Sequence, residues 1–132
     1  MKGSYVLVIK NSKDQTIQIG KLGKIFFKKG CYAYVGSALN SLEGRINRHM
    51  RKDKKFHWHI DYLLDKTKIV DVFCKKSKRK EECETANIFS NFESIKGFGC
   101  SDCKCKSHLF YVDKNKIENI LIDTCLERFI FM

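Results

Sequence analysis

The chain has 132 residues, a length typical of one domain that can bury a single core without disulfides. Its 26 Lys and Arg residues exceed its 15 Asp and Glu residues, and the formal net charge of +11 favours a polyanionic partner such as nucleic acid. No apolar run is long enough to span a membrane and no signal peptide is recognisable, so we expect a cytoplasmic protein whose seven cysteines are reduced.

The N-terminal part of the chain predicts several strands joined by turns. Strands are expected from Tyr5 to Lys10, from Thr16 to Ile19, from Lys24 to Phe27 and from Cys31 to Val35. Glycines and polar residues separate these segments, and each segment is short. The pattern therefore predicts an antiparallel meander.

A basic helix is predicted next, from Ser41 to Lys52. Asn40 can cap it, and Glu43 three residues later completes a capping-box pattern. Arg45 and His49 are four residues apart, so their side chains lie on one stripe of the helix. A phosphodiester-cleaving site needs such an arginine and imidazole close to a rigidly held hydroxyl. The alternative is a solvated basic helix without a catalytic role.

The remaining sequence alternates between helices and strands. We expect helices from Trp58 to Leu64, from Glu81 to Ile95 and after Asn115, and strands from Ile69 to Cys74 and from Leu109 to Val112. The expected fold class is α/β, in the α+β sense, with a small mixed, largely antiparallel central sheet flanked by helices. No proline, repeat or low-complexity segment marks a boundary, so residues 1–132 are expected to form one domain.

Two tripeptides at strand ends carry a resemblance to a known family. Gly3-Ser4-Tyr5 and Tyr34-Val35-Gly36 resemble the two signature tripeptides of the GIY-YIG nuclease superfamily. The chain is most similar to a branch from archaea and bacteria that has no assigned function and is sometimes fused to endonuclease III. That likeness runs from about Gly3 to Val112 and includes the stretches Val35–Ala38, His57–Leu64, Phe98–Cys105 and Ser107–Phe110.

The resemblance implies a GIY-YIG-like fold and a divalent-metal-dependent endonuclease that hydrolyses phosphodiester bonds in DNA, with a role in DNA repair. It implies that Tyr5 and Tyr34 lie side by side at the scissile phosphate, and either could activate or orient the nucleophilic water. Arg45 matches the family's phosphate-binding arginine, and His49 matches a histidine of some members and would assist proton transfer. The gap between the two tyrosines is longer than the family usually shows, which predicts an extra hairpin from Thr16 to Phe27.

Glu84 is the predicted ligand of Mg²⁺ or Mn²⁺. Mg²⁺ keeps most of its waters, so a single carboxylate can hold it. Glu84 lies at the edge of the apolar face of the helix predicted from Glu81, and it matches the family's single metal-binding glutamate. The alternative is an ordinary first-turn glutamate favoured by the helix dipole. The family's asparagine beyond this glutamate has no clear match, although Ser101 or Asp102 could replace it.

Two further groups of residues could bind a metal. Cys100, Cys103, Cys105 and His108 have the density of a zinc site, but their spacing is tight, and buried reduced cysteines are the favoured alternative. His57 and His59 fall where the family has a catalytic histidine. They could equally pack and bond to Asp61 or the backbone, or ligate a metal.

Basic residues flanking the candidate site are expected to bind nucleic acid, DNA rather than RNA. The residues assigned to this surface are Arg48, Arg51, Lys52, Lys54, Lys55, Lys75 and Lys76. A membrane is not an expected partner because no apolar helix face accompanies these charges. A repair protein is a further candidate partner. The alternative function is a catalytically silent nucleic-acid-binding module, stabilised by zinc, and a third is a docking domain for an acidic protein.

Overall fold

The structure is a computed structural model that describes residues 2–38, 40–77, 82–99, 107–123 and 126–129, with the side chains of residues 82 and 83 left out. The strands in these residues are β1 (Gly3–Asn11), β2 (Gln15–Ile19), β3 (Gly23–Phe27), β4 (Gly30–Ala38), β5 (Lys68–Lys76), β6 (Glu93–Ser94), β7 (Leu109–Val112) and β8 (Glu127–Arg128). The helices are α1 (Leu42–Met50), α2 (His59–Leu64), α3 (Glu82–Asn87) and α4 (Lys114–Asp123), and a 3-10 turn, Gly20–Leu22, joins β2 to β3.

Six strands form one sheet in the order β6-β7-β4-β1-β5-β8, and every pairing within it is antiparallel. The two central strands, β1 and β4, are buried at nearly every position because both of their faces are covered. The predicted class, an α+β fold with a largely antiparallel sheet and flanking helices, is confirmed. The sheet is fully antiparallel in the described residues rather than mixed.

The prediction of an N-terminal meander is wrong. β1 pairs with β4, while β2 and β3 pair only with each other in a separate two-stranded sheet. The reason lies in the burial pattern, since β2 alternates between buried and exposed residues and has only one apolar face to cover. This hairpin is the one predicted between Tyr5 and Tyr34, and it packs onto the core through Ile17, Ile19 and Phe27.

The central sheet separates two apolar cores. Tyr5 and Leu7 face a core that contains residues of α1, α2 and the β2–β3 hairpin. Val6 and Val8 face a second core that contains residues of α3 and α4. None of the helices in the described part of the chain is long and apolar enough to cross a membrane.

Helix boundaries differ from the predicted ones at two places. Ser41 rather than Asn40 caps α1, because its hydroxyl accepts a 3.0 Å hydrogen bond from the N–H of Gly44. α3 ends at Asn87 instead of continuing to Ile95. Beyond it, Ser90 and Phe92 donate their N–H groups three residues back, in successive turns that seat Phe89 against Phe110 of β7 with ring centroids 5.4 Å apart.

The glycines of the two tripeptides are required by close approaches between strands. Tyr5 lies opposite Gly36 in the β1–β4 register, and a Cβ at Gly36 would overlap the Tyr5 ring. The ring is only 1% exposed and cannot swing away. A Cβ at Gly3 would likewise overlap the carbonyl oxygen of Lys75 on β5. Glycine at these positions therefore lets Tyr5 lie across β4 while β5 closes against β1.

We expect Gly36→Ala to lower the free energy of unfolding by about 1–3 kcal/mol, because the added methyl group overpacks the buried Tyr5 ring. Gly44→Ala is the matched control. Its Cβ would lie 3.0 Å from the Ser41 hydroxyl that caps α1, and weakening of this cap opposes the helix-propensity gain of Ala over Gly, so a net change within about 1 kcal/mol is expected. Urea denaturation measures both, and equal effects would contradict the packing argument.

Candidate active site

Tyr5 and Tyr34 project from neighbouring central strands into the same core. Tyr34 is in register with Leu7 and Tyr5 with Gly36, so the two tyrosines are diagonal neighbours on one face of the antiparallel pair. Tyr5 is 1% exposed and Tyr34 is 8% exposed. The structure therefore brings the two sequence-predicted tyrosines together, with rigid backbone beneath both.

His49 reaches from α1 towards both tyrosines. Its Nε2 atom lies 2.7 Å from the hydroxyl of Tyr5, and its ring centroid lies 5.4 Å from that of Tyr5 and 6.3 Å from that of Tyr34. The side chain is buried, at 3% exposure, although the sequence predicts it on the cationic stripe with Arg45. His49 therefore belongs to the core beneath the tyrosines.

Burial, helped by the positive charge of Lys54, lowers the pKa of His49 to about 3, so the imidazole is neutral at physiological pH. Among the described residues, Nδ1 has no hydrogen-bond partner. A buried N–H without an acceptor is rarer than a buried acceptor without a donor. The direction of the Tyr5–His49 hydrogen bond depends on the imidazole tautomer, and the tautomer protonated on Nε2 would donate to the hydroxyl oxygen of Tyr5.

Arg45, also on α1, is fixed at the C-terminal end of β4. Its Nη1 donates a 3.2 Å hydrogen bond to the carbonyl oxygen of Ser37, and its guanidinium carbon lies 4.4 Å from the ring centroid of Trp58. The Ser37 bond uses only one of the five N–H groups that a guanidinium carries. Arg45 is therefore a half-buried cation held by two contacts. Its partner Ser37 lies three residues from Tyr34 on β4.

Arg48 forms an ion pair with the buried carboxylate of Asp61. Its two terminal nitrogens lie 2.9 and 3.0 Å from the Asp61 oxygens, and the same carboxylate accepts hydrogen bonds from the backbone N–H groups of His57 and Trp58. Burial raises the pKa of Asp61, but the hydrogen bonds from Arg48 and the two N–H groups outweigh it and hold the pKa below its usual value. Arg48, predicted to bind DNA, is thus engaged within the protein.

Two lysines of the predicted DNA-binding surface also have internal partners. Lys52 donates to the carbonyl groups of Leu64, the last residue of α2, and Thr67 beyond it, and Lys54 donates to carbonyl groups at the end of α1. Cations are favoured at helix C-termini, where the carbonyl groups lack intrahelical donors. The other members of this predicted surface, Arg51, Lys55, Lys75 and Lys76, have exposed side chains.

Glu84 lies in a different part of the structure from the tyrosine pair. It is exposed on α3, whose buried Ala86 packs into the core on the opposite face of the sheet. In the described residues no group of three or more His, Cys, Asp or Glu side chains is arranged to hold a metal ion. Metal binding by Glu84 stays a prediction that depends on a single carboxylate.

The remaining candidate ligands have structural contacts or lie outside the described residues. The Nδ1 atom of His59 accepts a 2.9 Å hydrogen bond from the N–H of Gly99, while the side chain of His57 is exposed. Of the predicted zinc ligands, only His108 is described, and it is 1% exposed. Cys100, Cys103 and Cys105 lie outside the described residues, as do Ser101 and Asp102.

The sequence predicts no role for Trp58 and predicts Asp61 only as a partner of a neighbouring histidine. The structure places both beside Arg45 and Arg48. One signal was available, because Trp58 is the only tryptophan of the chain and follows the basic helix closely. The pairing of Arg48 with Asp61 spans 13 residues and two helices, and helical spacing does not reveal it.

The buried neutral His49 predicts a specific loss of stability in acid. Between about pH 6 and pH 4 the unfolded chain binds a proton at this histidine and the folded chain does not. The free energy of unfolding therefore falls by about 1.4 kcal/mol for each unit by which the pH is lowered. His49→Gln should remove this contribution to the slope, whereas His57→Gln, at an exposed position, should not. Urea denaturation across this pH range measures the slopes, and an unchanged slope in His49→Gln would contradict the prediction.

Comparison with known proteins identifies a family but no relative of known function. No curated protein sequence and no solved structure matches the chain significantly. A family model described as a domain of unknown function, DUF123, matches residues 4–130 and so spans both tyrosines, α1, the Arg48–Asp61 pair and α3. The chain therefore belongs to the DUF123 family.

Proposed function

We propose that this chain is a divalent-metal-dependent endonuclease that hydrolyses phosphodiester bonds in DNA, and that it is a member of the GIY-YIG nuclease superfamily. The observation that carries the proposal is the tyrosine pair on adjacent central strands, with His49 bonded to Tyr5 and Arg45 anchored at the end of β4. A role in DNA repair accords with the fusion to endonuclease III in similar proteins.

The two tyrosines are the proposed catalytic residues, and His49 is a positioning residue. The 2.7 Å hydrogen bond between Nε2 of the neutral imidazole and the Tyr5 hydroxyl holds the phenol in one orientation. Tyr34, which is 8% exposed and lines a pocket, is the member of the pair better placed to hydrogen-bond the attacking water or a phosphate oxygen. His49 itself, with a pKa of about 3, does not carry a proton in neutral solution.

Arg45 is the proposed phosphate ligand. Attack on a phosphodiester increases the negative charge on the phosphate oxygens, and prearranged donors that face this charge lower the barrier. Ser37 and Trp58 fix the guanidinium before substrate binds, so less conformational entropy is lost in forming the complex. Its remaining N–H groups suit paired hydrogen bonds to two phosphate oxygens.

Glu84 would hold the Mg²⁺ or Mn²⁺ ion. Such an ion, when bound, neutralises charge on the phosphate and on the leaving oxygen. An exposed single carboxylate fits this ion, because Mg²⁺ is commonly held by one or two carboxylates together with water and substrate phosphate.

Exposed cations at the same end of the sheet as Tyr5 supply a surface for the DNA backbone. Lys75 and Lys76 are in register with Ser4 and Gly3 at the start of β1, and both are exposed. Arg51 and Lys55 follow α1, which carries Arg45. Neutralising phosphates with such side chains releases counterions and makes binding weaken with salt.

The placement of Glu84 favours a second candidate function, a catalytically silent DNA-binding module. Its helix packs against the sheet face opposite the tyrosines through Ala86. If no metal ion binds beside the tyrosines, the site retains a phosphate-binding arginine and basic surfaces but has no metal for cleavage. That module would bind DNA in a salt-sensitive manner and would cut nothing.

We expect the wild-type protein to cleave supercoiled, branched or single-stranded DNA in Mg²⁺ or Mn²⁺, and Glu84→Gln to reduce cleavage by about 100-fold or more because the metal ligand is lost. Binding affinity and melting temperature should change little. Glu93→Gln is the matched control, since Glu93 is exposed on β6 at the edge of the sheet. Binding without cleavage by the wild type would instead support the silent module.

Substituting Arg45 should mainly affect cleavage, whereas substituting Arg48 should mainly affect stability. Arg45→Ala should lower the cleavage rate by about 100-fold through loss of charge stabilisation, with a stability cost of at most about 1–2 kcal/mol. Arg48→Ala should cost about 3–5 kcal/mol because it leaves the fully buried Asp61 carboxylate without its cation. Urea denaturation and cleavage of a fluorescent oligonucleotide separate the two effects. Similar stability losses in both variants would contradict this division of roles.

A further inference from the structure

A pocket of about 360 Å³ opens beside Tyr34. Its walls come from the 3-10 turn between β2 and β3, the start of α2 and the segment before residue 100, and they include Lys21, Tyr34, His57, Trp58, His59 and Tyr62. This volume lies within the range of about 300–1,000 Å³ that is usual for small-ligand sites. Aromatic rings thus line a pocket that shares one wall with the proposed catalytic tyrosines.

Two glycines let the backbone approach the aromatic rings of this pocket closely. Gly20 and Gly99 both have positive φ angles, of 46° and 73°, a conformation that other residues rarely adopt. A Cβ at Gly20 would lie 3.1 Å from the Tyr62 ring, and a Cβ at Gly99 would lie 3.3 Å from the Tyr34 ring. The backbone therefore comes close to both rings without a side chain in between.

The pocket also offers polar groups suited to the edge of a heterocycle. The Nδ1 atom of His59 accepts the hydrogen bond from Gly99, and burial lowers the pKa of this histidine, so the neutral ring carries its proton on Nε2 as a donor. Lys21 adds an exposed cation at the wall. Aromatic walls with a few donors are the features by which proteins hold unstacked bases of single-stranded nucleic acids.

We propose that this pocket receives one unstacked base of a DNA strand, next to the phosphate that the tyrosines address. The substrate class would then be DNA with an unpaired nucleotide at the cleavage point, such as a bulge or a single-stranded branch. The placement beside the scissile phosphate rests on the proposed nuclease function, because Tyr34 belongs both to the pocket and to the tyrosine pair. Extruding a base costs least where that base is unpaired, which favours these substrates over intact duplex.

The test uses DNA that carries the fluorescent base 2-aminopurine, either paired in a duplex or unpaired in a one-nucleotide bulge, with a chelator present so that nothing is cut. Stacking on aromatic rings should quench the bulged probe on binding and leave the paired probe nearly unchanged. The bulged DNA should bind about 5- to 150-fold more tightly, the range that base–aromatic stacking provides. Equal Kd values and equal fluorescence for the two DNAs would overturn the proposal.

Variants locate the effect in the pocket. Tyr62→Ala should abolish the quenching and the preference for the bulge, and His57→Ala, at an exposed position that tolerates truncation, should reduce both. Phe26→Ala is the matched control, because Phe26 is an exposed aromatic on β3 that does not line the pocket. Quenching that survives both pocket variants would also overturn the proposal.

A parallel cleavage assay in Mg²⁺ separates this proposal from the nuclease proposal. Bulge-specific quenching without any cleavage would support the base-binding pocket and argue against the nuclease. Cleavage that is equal on paired and bulged DNA, with no quenching, would support the nuclease and overturn the pocket. A protein that binds neither DNA would overturn both.

Discussion

The carboxylate of Asp61 has no exposed surface, and the arrangement of the candidate site depends on the groups that neutralise and hydrogen-bond it. An ionised group in an interior needs both a counter-charge and hydrogen bonds, since leaving it uncompensated costs several kcal/mol. Arg48 supplies the charge from α1, and the N–H groups of His57 and Trp58 supply hydrogen bonds at the start of α2. One carboxylate thereby joins two helices and fixes the backbone between them. The hydrogen bond from its N–H group fixes the backbone of Trp58, and the Trp58 ring makes a cation–π contact with the guanidinium of Arg45.

This dependence changes how the positive charge of the chain should be interpreted. A net charge of +11 indicates a polyanionic partner, but it does not distinguish the cations that face solvent from those that complete the fold. Arg48, Lys52 and Lys54 have partners inside the protein, a carboxylate in one case and helix-end carbonyl groups in the others. The net charge therefore does not measure the size of a binding surface. Of the other cations in the predicted surface, Lys75 and Lys76 lie in register with the start of β1, and Arg51 and Lys55 follow α1.

The sequence predicted those features that depend on local pattern. The strands containing Tyr5 and Tyr34, and the two short strands between them, follow from apolar pattern and turn residues, while the prediction that these two form an extra hairpin came from the family resemblance, and the structure contains them all. The pairing of β1 with β4 could not be deduced this way, because it depends on which strands have two apolar faces to bury. The burial of His49 was missed for a related reason. Helical spacing places it on the stripe of Arg45, but contact with Tyr5 decides its environment. The length of α3 was overestimated because Phe89 and Phe92 fit a helical period yet pack through turns.

The sheet itself poses the main constraint on the chemistry, since the tyrosines face one core and α3 packs against the other. Connectivity limits how far apart these parts can lie. β5 ends at Lys76, in register with Gly3 at the start of β1, and α3 begins at Glu82, six residues later. Six residues span at most about 20 Å even when fully extended, which limits the distance between Lys76 and the start of α3. Under the proposed nuclease function, one DNA strand would have to contact Arg45 and the tyrosines on one side of the sheet and Glu84 on the other. We would place that strand at the end of the sheet where β1 begins, because both halves of the proposed site connect to this end and neither face of the sheet carries both.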